Sequence, residues 1–576
     1  MAVIQPILDL VEVCVQQGLR HAIISPGSRS AALTLAFARH PRIQTYVIPD
    51  ERTAGYIGLG MAQALGEPVA LVCTSGTAAI NFAPAVAEAY FYEIPLLVLT
   101  ADRPPEWIHQ QDGQTVYQQG LYGRHVKQFH QLPADYLHPD SAWFVNRIIN
   151  QSFIVLTNKP LGPVHINVPI REPFYPKPEE PYVFNPEVRV VRQSAVQKTI
   201  SSETWAELLD ELEDADRVLI AAGQGKMGED LTRSLRALQD EFYLPTSGDL
   251  ISNLPGNDAF ITSLDVILGQ ENKEVLQALQ PDLLITFGNS FLSKNFKTFL
   301  RTNQVRQHWH LRIADELIDP FQSVTRVLPV EPDYFFRQLV EDLDLRRFRS
   351  GDEEDRDGTY LETWLTQERK ARRLVNTFLP AQRDFNEFTA VHDLLHRLPD
   401  HGQLHLANSM SVRYANYVGL PANRVAVFSN RGTSGIDGCL STAVGAALTT
   451  DQLVFLLIGD VAFFYDRNAL WHPHVPRNLR IVLLNNHGGG IFRLIDGPGS
   501  LPERTDFFET PHQTNAKNTA AEAGLSYFIC RSMSELQGQW TEFAAESDQS
   551  KILEIETDGA MNEAVFAKFK ELVAAG

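Results

Sequence analysis

Short, almost continuously apolar runs alternate with helical patterns along most of the chain. Val, Ile and Leu dominate runs of strand length at 21–27, 68–76, 95–104, 217–225, 282–290, 453–460 and 480–486. Such runs are typical of parallel strands that helices cover on both faces. Most of them end in Gly, Ser, Asp or Asn, and open α/β sheets bind ligands at these carboxyl ends. The pattern predicts an α/β fold built on parallel sheets.

The first twenty residues follow a helical pattern. Its apolar positions near one face are Ile4, Ile7, Leu8, Val11, Val15 and Leu19. No basic leader precedes them, so we expect an amphipathic helix rather than a signal peptide. No apolar stretch reaches the roughly 18–20 residues that a membrane span needs, so we expect no membrane partner.

Two segments interrupt the alternation of strands and helices. Residues 173–186 contain five prolines, which favour an extended linker. Residues 346–358 are dense in charge without an apolar period, which indicates a solvated connector. The interruptions predict three α/β domains, at 1–180, 190–345 and 360–576.

Composition and charge narrow the class of protein. The 576 residues are 44% hydrophobic and 21% charged, as in ordinary globular proteins. Fifty Lys and Arg against 70 Asp and Glu leave a net charge of −20, which repels phosphate backbones, so we expect no nucleic-acid partner. The four cysteines lie far apart without a CxxC pair, which favours a reducing, cytoplasmic location.

Chemistry-bearing residues concentrate in 459–492. One predicted strand ends in Gly459-Asp460, a helix follows, and the next strand ends in Asn485-Asn486. A single βαβ unit would bring Asp460 and Asn486 to neighbouring strand ends. Carboxylate, amide and backbone carbonyl oxygens suit a hard octahedral cation such as Mg²⁺ that bridges a diphosphate.

This spacing resembles the cofactor motif of the thiamine-diphosphate enzyme superfamily, although Val461 stands where many members have a third-position Gly. Further segments resemble one branch of it, the 2-succinyl-5-enolpyruvyl-6-hydroxy-3-cyclohexene-1-carboxylate (SEPHCHC) synthases. They are SPGSRS (25–30), DERTAGYIGLGMA (50–62), TSGTAAINFAPAVAEA (74–89), LTADRPPE (99–106) and SNRGTSGIDGCLST (429–442). The resemblance implies pyrimidine-binding, central and diphosphate-binding domains of the thiamine-diphosphate type.

The resemblance also implies which residues hold the cofactor. Glu51 would be the catalytic acid–base group, hydrogen-bonded to the pyrimidine ring of thiamine diphosphate. Capping of the following helix is the alternative role for a glutamate at this place. Asp460, Asn486 and the carbonyl of Gly488 would bind Mg²⁺, or Mn²⁺ in its place. The remaining cofactor contacts would be Ser409, Ile436, Gly459, Val461 and Ile491.

Substrate contacts follow in the same way. The family acts on isochorismate and 2-oxoglutarate, each with two carboxylates, and Arg forks bind carboxylates bidentately. Ser28, Arg29, Arg103 and Gln114 would face isochorismate, while Ser409, Arg413 and Arg431 would meet the part derived from 2-oxoglutarate. Lys294 would be a further carboxylate contact and Phe492 an apolar wall. Asn295 stands where some members carry a second cation, which is missing here or comes from Lys297.

The implied enzyme is a transferase of menaquinone or phylloquinone biosynthesis. It would decarboxylate 2-oxoglutarate and add the resulting succinic-semialdehyde carbanion to isochorismate in 1,4 fashion. Active sites would lie between chains of a homodimer or homotetramer. Another thiamine-diphosphate decarboxylase or an acetohydroxyacid-synthase-like carboligase is the nearest alternative. A non-catalytic protein of the same fold would be marked by loss of Glu51 or Asp460, and both are present. A dinucleotide dehydrogenase would carry a GxGxxG motif that opens a helix after a strand, with an acidic residue about 20 positions on, and we find none.

Overall fold

Three separate parallel sheets organise the chain. The computed structural model describes residues 4–172, 175–176, 181–255, 260–314, 316–350, 357–421, 425–495 and 497–576. The strands form two six-stranded sheets, and a five-stranded sheet lies between these two in the sequence. Neighbouring strands within each sheet pair in parallel. The predicted α/β class is confirmed.

The first sheet has the strand order β2-β1-β3-β4-β6-β5. Its strands are β1 (His21–Ile24), β2 (Gln44–Val47), β3 (Val69–Cys73), β4 (Leu96–Asp102), β5 (Gln128–Gln131) and β6 (Val164–Pro169). Its helices are α1 (Gln5–Gln16), α2 (Ala31–Ala38), α3 (Glu51–Leu65), α4 (Thr77–Asn81), α5 (Ala83–Phe91) and α6 (Pro139–Thr157). Short 3₁₀ turns lie at Pro105–Trp107 and Gly123–His125.

The second sheet has the order β11-β10-β9-β7-β8. Its strands are β7 (Val218–Ala222), β8 (Thr246–Gly248), β9 (Leu283–Phe287), β10 (Gln307–Leu311) and β11 (Arg326–Leu328). Its helices are α7 (Ser202–Glu213), α8 (Glu229–Phe242), α9 (Leu264–Ile267), α10 (Lys273–Ala278), α11 (Lys294–Thr302) and α12 (Pro332–Ser350), with a 3₁₀ turn at Leu250–Ser252.

The third sheet has the order β13-β12-β14-β15-β17-β16. Its strands are β12 (Gln403–Leu406), β13 (Ala426–Phe428), β14 (Val454–Gly459), β15 (Leu479–Asn485), β16 (Ser526–Cys530) and β17 (Lys551–Glu556). Its helices are α13 (Thr359–Phe378), α14 (Glu387–Leu395), α15 (Met410–Val418), α16 (Cys439–Ala447), α17 (Asp460–Tyr465), α18 (Ile491–Leu494), α19 (Lys517–Ala523), α20 (Met533–Ala544) and α21 (Gly559–Ala575). Single helical turns lie at Arg467–Leu470, Pro498–Ser500 and Arg504–Phe508.

The first and third sheets share one topology. Numbered within each sheet, both run second, first, third, fourth, sixth, fifth. Segments that follow equivalent strands therefore occupy equivalent places at the two carboxyl edges. Ser28 and Ser409 follow the first strand of each sheet, and Glu51 and Arg431 follow the second. The carboxyl edges of the two sheets thus have the same arrangement of segments but carry different side chains.

Helices α3 and α16 join these two sheets by direct backbone contact. A Cβ added at Gly60 would lie 2.0 Å from the carbonyl oxygen of Thr442, and one added at Gly445 would lie 2.0 Å from that of Ile57. Only glycine allows this approach. Because α3 begins at Glu51, the contact fixes Glu51 relative to the third sheet.

The chain between the first two sheets runs along α1. Gln5 and Gln16 donate side-chain hydrogen bonds to the carbonyls of Val183 and Pro186, at 3.0 and 2.9 Å. The described residues of the linker predicted at 173–186 contain no helix or strand, and the irregular chain continues to residue 200. Residues 173, 174 and 177–180 lie outside the described residues. Helix α1 is covered on more than its predicted face, since Leu10, Val13 and Cys14 are buried as well.

The charged segment after the second sheet begins later than its composition indicates. Helix α12 continues to Ser350, five residues into the predicted connector 346–358. Three of these five residues are arginines, which favour helix, so charge alone does not end it. Residues 351–356 lie outside the described chain. Each sheet falls inside one predicted domain, and the domain boundaries stay a prediction.

No helix in the described ranges combines the length and the apolar character that a membrane crossing requires.

Candidate active site

Asp460 and Asn486 lie at the carboxyl edge of the third sheet, on neighbouring strands. Strands β14 and β15 pair in parallel, with Gly459 opposite Leu484. Asp460 begins α17 directly after β14, and Asn486 follows the last residue of β15. The βαβ unit predicted from the spacing is therefore present.

The Asp460 carboxylate is buried and held by three donors. Its Oδ2 accepts hydrogen bonds from the Gly488 amide at 3.0 Å and from His512 Nε2 at 3.2 Å, and its Oδ1 accepts one from the Val461 amide at 2.7 Å. The His512 contact raises the pKa of that histidine. These three hydrogen bonds fix the position of the carboxylate at the carboxyl end of β14.

The turn at Asn486 contributes two further oxygen atoms, one from a side chain and one from the backbone. Asn486 Oδ1 accepts a hydrogen bond from the Gly489 amide at 2.9 Å, one residue beyond the amide that binds Asp460. The Gly488 carbonyl accepts one hydrogen bond, from the Thr510 amide at 2.9 Å, and has a second lone pair.

The donor set fits a magnesium ion. One carboxylate, one amide oxygen and one carbonyl oxygen are hard ligands of the kind that Mg²⁺ takes while it keeps waters and substrate phosphates. Within the described chain no group of three or more His, Cys, Asp or Glu side chains is placed to bind a metal ion.

Two residues that lie close to this edge were not predicted from the sequence. Glu387, at the start of α14, accepts a hydrogen bond from Asn486 Nδ2 at 2.8 Å, and His512 contacts Asp460. Burial, and then the charge of Asp460, raise the pKa of Glu387 to about 7. Both residues come from segments far along the chain without a local motif, so only the fold brings them to the site.

Glu51 lies at the carboxyl edge of the first sheet. Asp50 caps α3, because its Oδ1 accepts a hydrogen bond from the Thr53 amide at 3.2 Å. Glu51 Oε2 instead accepts a long hydrogen bond, 3.4 Å, from Asn81 Nδ2. Burial, and then the charge of Glu51, raise the pKa of the Cys73 thiol at the end of β3. The capping role therefore belongs to Asp50, and the Glu51 carboxylate points to the same edge as the end of β3.

Four of the predicted substrate residues occupy this first edge. Ser28 and Arg29 follow β1, and Arg103 follows β4. Burial, and then the charge of Arg103, lower the pKa of Arg29, so the two guanidinium groups lie near each other. Gln114 is held in the left-handed region, φ 57°, and its backbone would be 3.2 Å from a Cβ on Gly76.

A second arginine pair occupies the edge of the third sheet. Arg431 Nη1 donates to Asn408 Oδ1 at 2.8 Å, while its buried Nε has no hydrogen-bond partner in the described parts of the chain. Burial, and then the charge of Arg413, lower the pKa of Arg431. Ser409, which accepts from Arg413 Nη1 through its carbonyl at 2.6 Å, has φ 77°. A serine in that region stores strain, which is typical of functional sites.

Helix α11 carries the three residues from which a cation near the second arginine pair was expected or found missing. Lys294 is exposed at its first position, and Asn295 turns inward, donating from Nδ2 to the Asp265 carbonyl at 2.8 Å. Burial lowers the pKa of Lys297, to which Asp249 and Arg431 add opposing charge effects. Lys297 thus lies in the electrostatic range of Arg431.

The apolar residues predicted to contact cofactor or substrate lie on segments of the third domain's sequence. Val461 is the second residue of α17, next to Asp460, and its Cγ2 would be 3.1 Å from a Cβ on Gly489. Ile491 and Phe492 begin α18 and are half-buried, and the Phe492 ring lies 5.7 Å from that of Phe508. Ile436, in the loop before α16, is 37% exposed. Their roles stay predictions.

Comparison with known proteins decides the family. Residues 9–126 match the model of the thiamine pyrophosphate enzyme N-terminal TPP binding domain, and residues 185–406 match that of the middle domain of thiamine pyrophosphate enzymes. A protein of Cytophaga hutchinsonii is 44% identical over 569 residues, covering 99% of both chains, and is named 2-succinyl-5-enolpyruvyl-6-hydroxy-3-cyclohexene-1-carboxylate synthase. This chain belongs to the SEPHCHC synthase family.

Other SEPHCHC synthases match at similar length. The protein of Porphyromonas gingivalis is 36% identical, covering 98% of this chain and 96% of its own. That of Desulfotalea psychrophila is 37% identical, covering 96% and 98%. The chain is accordingly a thiamine-diphosphate-dependent enzyme of the transferase type, and the resemblance stated from its motifs is confirmed.

Proposed function

We propose that this enzyme decarboxylates 2-oxoglutarate and adds the remaining four-carbon unit to isochorismate, as a step of quinone biosynthesis. The observation that supports this most is the presence of two arginine pairs, one at each carboxyl edge of two sheets with the same topology. Two dianionic substrates need two separate basic sites in a protein whose net charge is −20.

The arginine pair of the third sheet is suited to a carboxylate of 2-oxoglutarate. The unpartnered, buried Nε of Arg431 can donate to an incoming oxygen, and a buried donor without a partner is costly until a ligand satisfies it. Lys297 would replace the cation that is absent at Asn295, because it lies within the electrostatic range of Arg431. Lys294, exposed at the start of α11, would act further out.

Arg29 and Arg103 are suited to isochorismate. Arg29 is buried and donates from Nη1 to the Ile170 carbonyl at 3.0 Å, which fixes its position at the edge. Arg103 is oriented by Asp112 at 2.9 Å and by the Gly113 carbonyl at 2.9 Å. Preset guanidinium groups hold a second substrate in place at low entropic cost, which is what a ligation requires.

Asp460, Asn486 and the Gly488 carbonyl would hold Mg²⁺ and through it the diphosphate of thiamine diphosphate. When bound, this cofactor supplies the electron sink that carries the negative charge left by loss of CO₂. Glu51 would hold a proton on its carboxyl group against the pyrimidine ring of the cofactor.

The active unit would be a homodimer or homotetramer with sites between chains. Within one chain, Asp50 and Arg52 bind Asn468 and the Tyr465 carbonyl, both 2.8 Å. Tyr465 is the last residue of the helix that begins at Asp460. Glu51 thus lies beside the C-terminal end of that helix, whereas Asp460 lies at its N-terminal end. This separation supports a role for Glu51 at a cofactor that another chain holds. Four free, buried cysteines support a reducing compartment, the cytoplasm.

The division of the two substrates is tested with single arginine variants. We expect Arg413→Ala to raise the KM for 2-oxoglutarate at least tenfold, since a bidentate charged contact is worth about 1.5–3 kcal/mol, and to change that for isochorismate much less. Arg29→Ala should show the reverse ranking. Steady-state kinetics with each substrate varied in turn would measure both, and an opposite ranking would refute the assignment.

A further inference from the structure

Two asparagines at the carboxyl end of β15, one its last residue and one directly after it, donate their side-chain amides to buried glutamates. Asn486 Nδ2 reaches Glu387 Oε1 at 2.8 Å, and Asn485 Nδ2 reaches Glu554 Oε1 at 2.6 Å. Glu387 is 2% exposed and Glu554 is fully buried. Burying a carboxylate costs free energy, so each is retained for what it binds.

Glu387 is itself held rigidly. Asn386 caps α14 by accepting from the Thr389 amide at 3.0 Å, and the Glu387 amide donates to Asn562 Oδ1 of α21 at 2.9 Å. The carboxyl group is therefore presented to Asn486 from a fixed helix start rather than from a mobile loop.

The amide group of an asparagine has two ends of almost the same shape, and only the oxygen binds a cation. The Glu387 carboxylate can accept a hydrogen bond only from the nitrogen end of the Asn486 side chain. The oxygen end is then directed to the turn where the Gly488 and Gly489 amides bind Asp460 Oδ2 and Asn486 Oδ1, at 3.0 and 2.9 Å. The two oxygens consequently lie against the same turn.

We propose that Glu387 is a positioning residue of the metal site, which holds the nitrogen end of Asn486 so that its oxygen end faces the cation. This inference rests on the proposed metal role of Asp460 and Asn486. Partners that orient metal ligands in this way typically change metal affinity about 10–100-fold when they are replaced.

Two variants separate the position of the acceptor from its charge. Glu387→Gln keeps an acceptor oxygen at the same reach, whereas Glu387→Asp keeps the charge but withdraws the oxygen by one methylene. With thiamine diphosphate saturating, free Mn²⁺ is titrated by its electron paramagnetic resonance signal. We expect Glu387→Asp to weaken Mn²⁺ binding at least tenfold, in line with replaced ligand partners, and Glu387→Gln to stay within about threefold of wild type.

Glu368→Asp is the matched control. Glu368 is also 2% exposed and accepts hydrogen bonds from the Thr262 and Ser263 amides, at 3.2 and 3.0 Å, away from the third sheet's edge. It should lower the melting temperature without changing Mn²⁺ affinity.

Unchanged Mn²⁺ affinity in Glu387→Asp would overturn the inference. So would a loss in Glu387→Gln as large as that in Glu387→Asp, because an acceptor oxygen held at the same reach would then not be enough to keep the affinity. Absence of Mn²⁺ binding by the wild-type enzyme would overturn the proposed cofactor site itself, an outcome distinct from the other two.

Discussion

Glu51 occupies the first helical position of α3 without capping it. The neighbouring Asp50 accepts the Thr53 amide, so the helix start is satisfied and the Glu51 carboxylate remains available for chemistry. A carboxyl group at the edge of a sheet, beside the buried Cys73, is partly shielded from water and can share a proton strongly with a ligand.

Replacement of this one carboxyl group tests its role. Glu51→Gln should slow the chemical step about 100-fold or more at saturating cofactor, which is the range expected for loss of a general acid–base group. Single-turnover measurements of CO₂ release give the step directly. An unchanged melting temperature would show that the fold is intact, and a rate within about threefold of wild type would disprove the acid–base assignment.

At the residue scale, the sequence predicts some positions and misses others for identifiable reasons. Asp460 and Asn486 follow two adjacent apolar runs, so local pattern and parallel pairing place them together. Glu387 reaches Asn486 across 99 residues, and nothing near Glu387 in the sequence indicates a site. Lys294 and Lys297 are the same residue type on one helix, α11, and which of them is exposed depends on how that helix packs.

The contact between α3 and α16 is the element on which the site geometry most depends. It brings backbone against backbone at Gly60 and Gly445, and α16 begins immediately after the loop that carries Arg431 and Ile436. A change in this contact would move the start of α3, and with it Glu51, relative to that loop.

Adding one methyl group at this contact has a definite expected cost. Gly60→Ala would place a Cβ 2.0 Å from a carbonyl oxygen, so we expect loss of about 3 kcal/mol or more of stability, together with reduced activity. Gly538→Ala in α20 is the control, since a Cβ there meets nothing within 4 Å and alanine favours helix by about 0.5–1 kcal/mol. Chemical denaturation measures both, and equal effects would contradict the account.

The repeated topology is visible in the structure but not in the residues. Both outer sheets have the order second, first, third, fourth, sixth, fifth, yet the sequences of the two blocks show no repeat that reveals it. Strand order depends on which edges pair after the chain has crossed over, and hydrophobic patterning reports only that a strand exists. Fold class was therefore predictable, whereas the equivalence of the two edges was not.

At the scale of the whole molecule, the proposed active sites lie between chains. Glu51→Gln and Asp460→Ala, each inactive alone, should regain activity when the two variants are mixed and allowed to exchange subunits. In a mixed dimer one site combines the intact Glu51 of one chain with the intact Asp460 of the other. Random exchange should restore about one quarter of wild-type activity. No recovery despite exchange, followed by mass spectrometry of intact dimers, would place each site within one chain.

The most direct measurement is CO₂ release from 2-oxoglutarate, with thiamine diphosphate and Mg²⁺ present, in the absence and presence of isochorismate. Two basic sites that hold two dianions predict slow release without isochorismate, strong acceleration with it, and an adduct of the two substrates by mass spectrometry. Equally fast release with and without isochorismate, yielding a free aldehyde, would contradict the account and make this enzyme a simple decarboxylase.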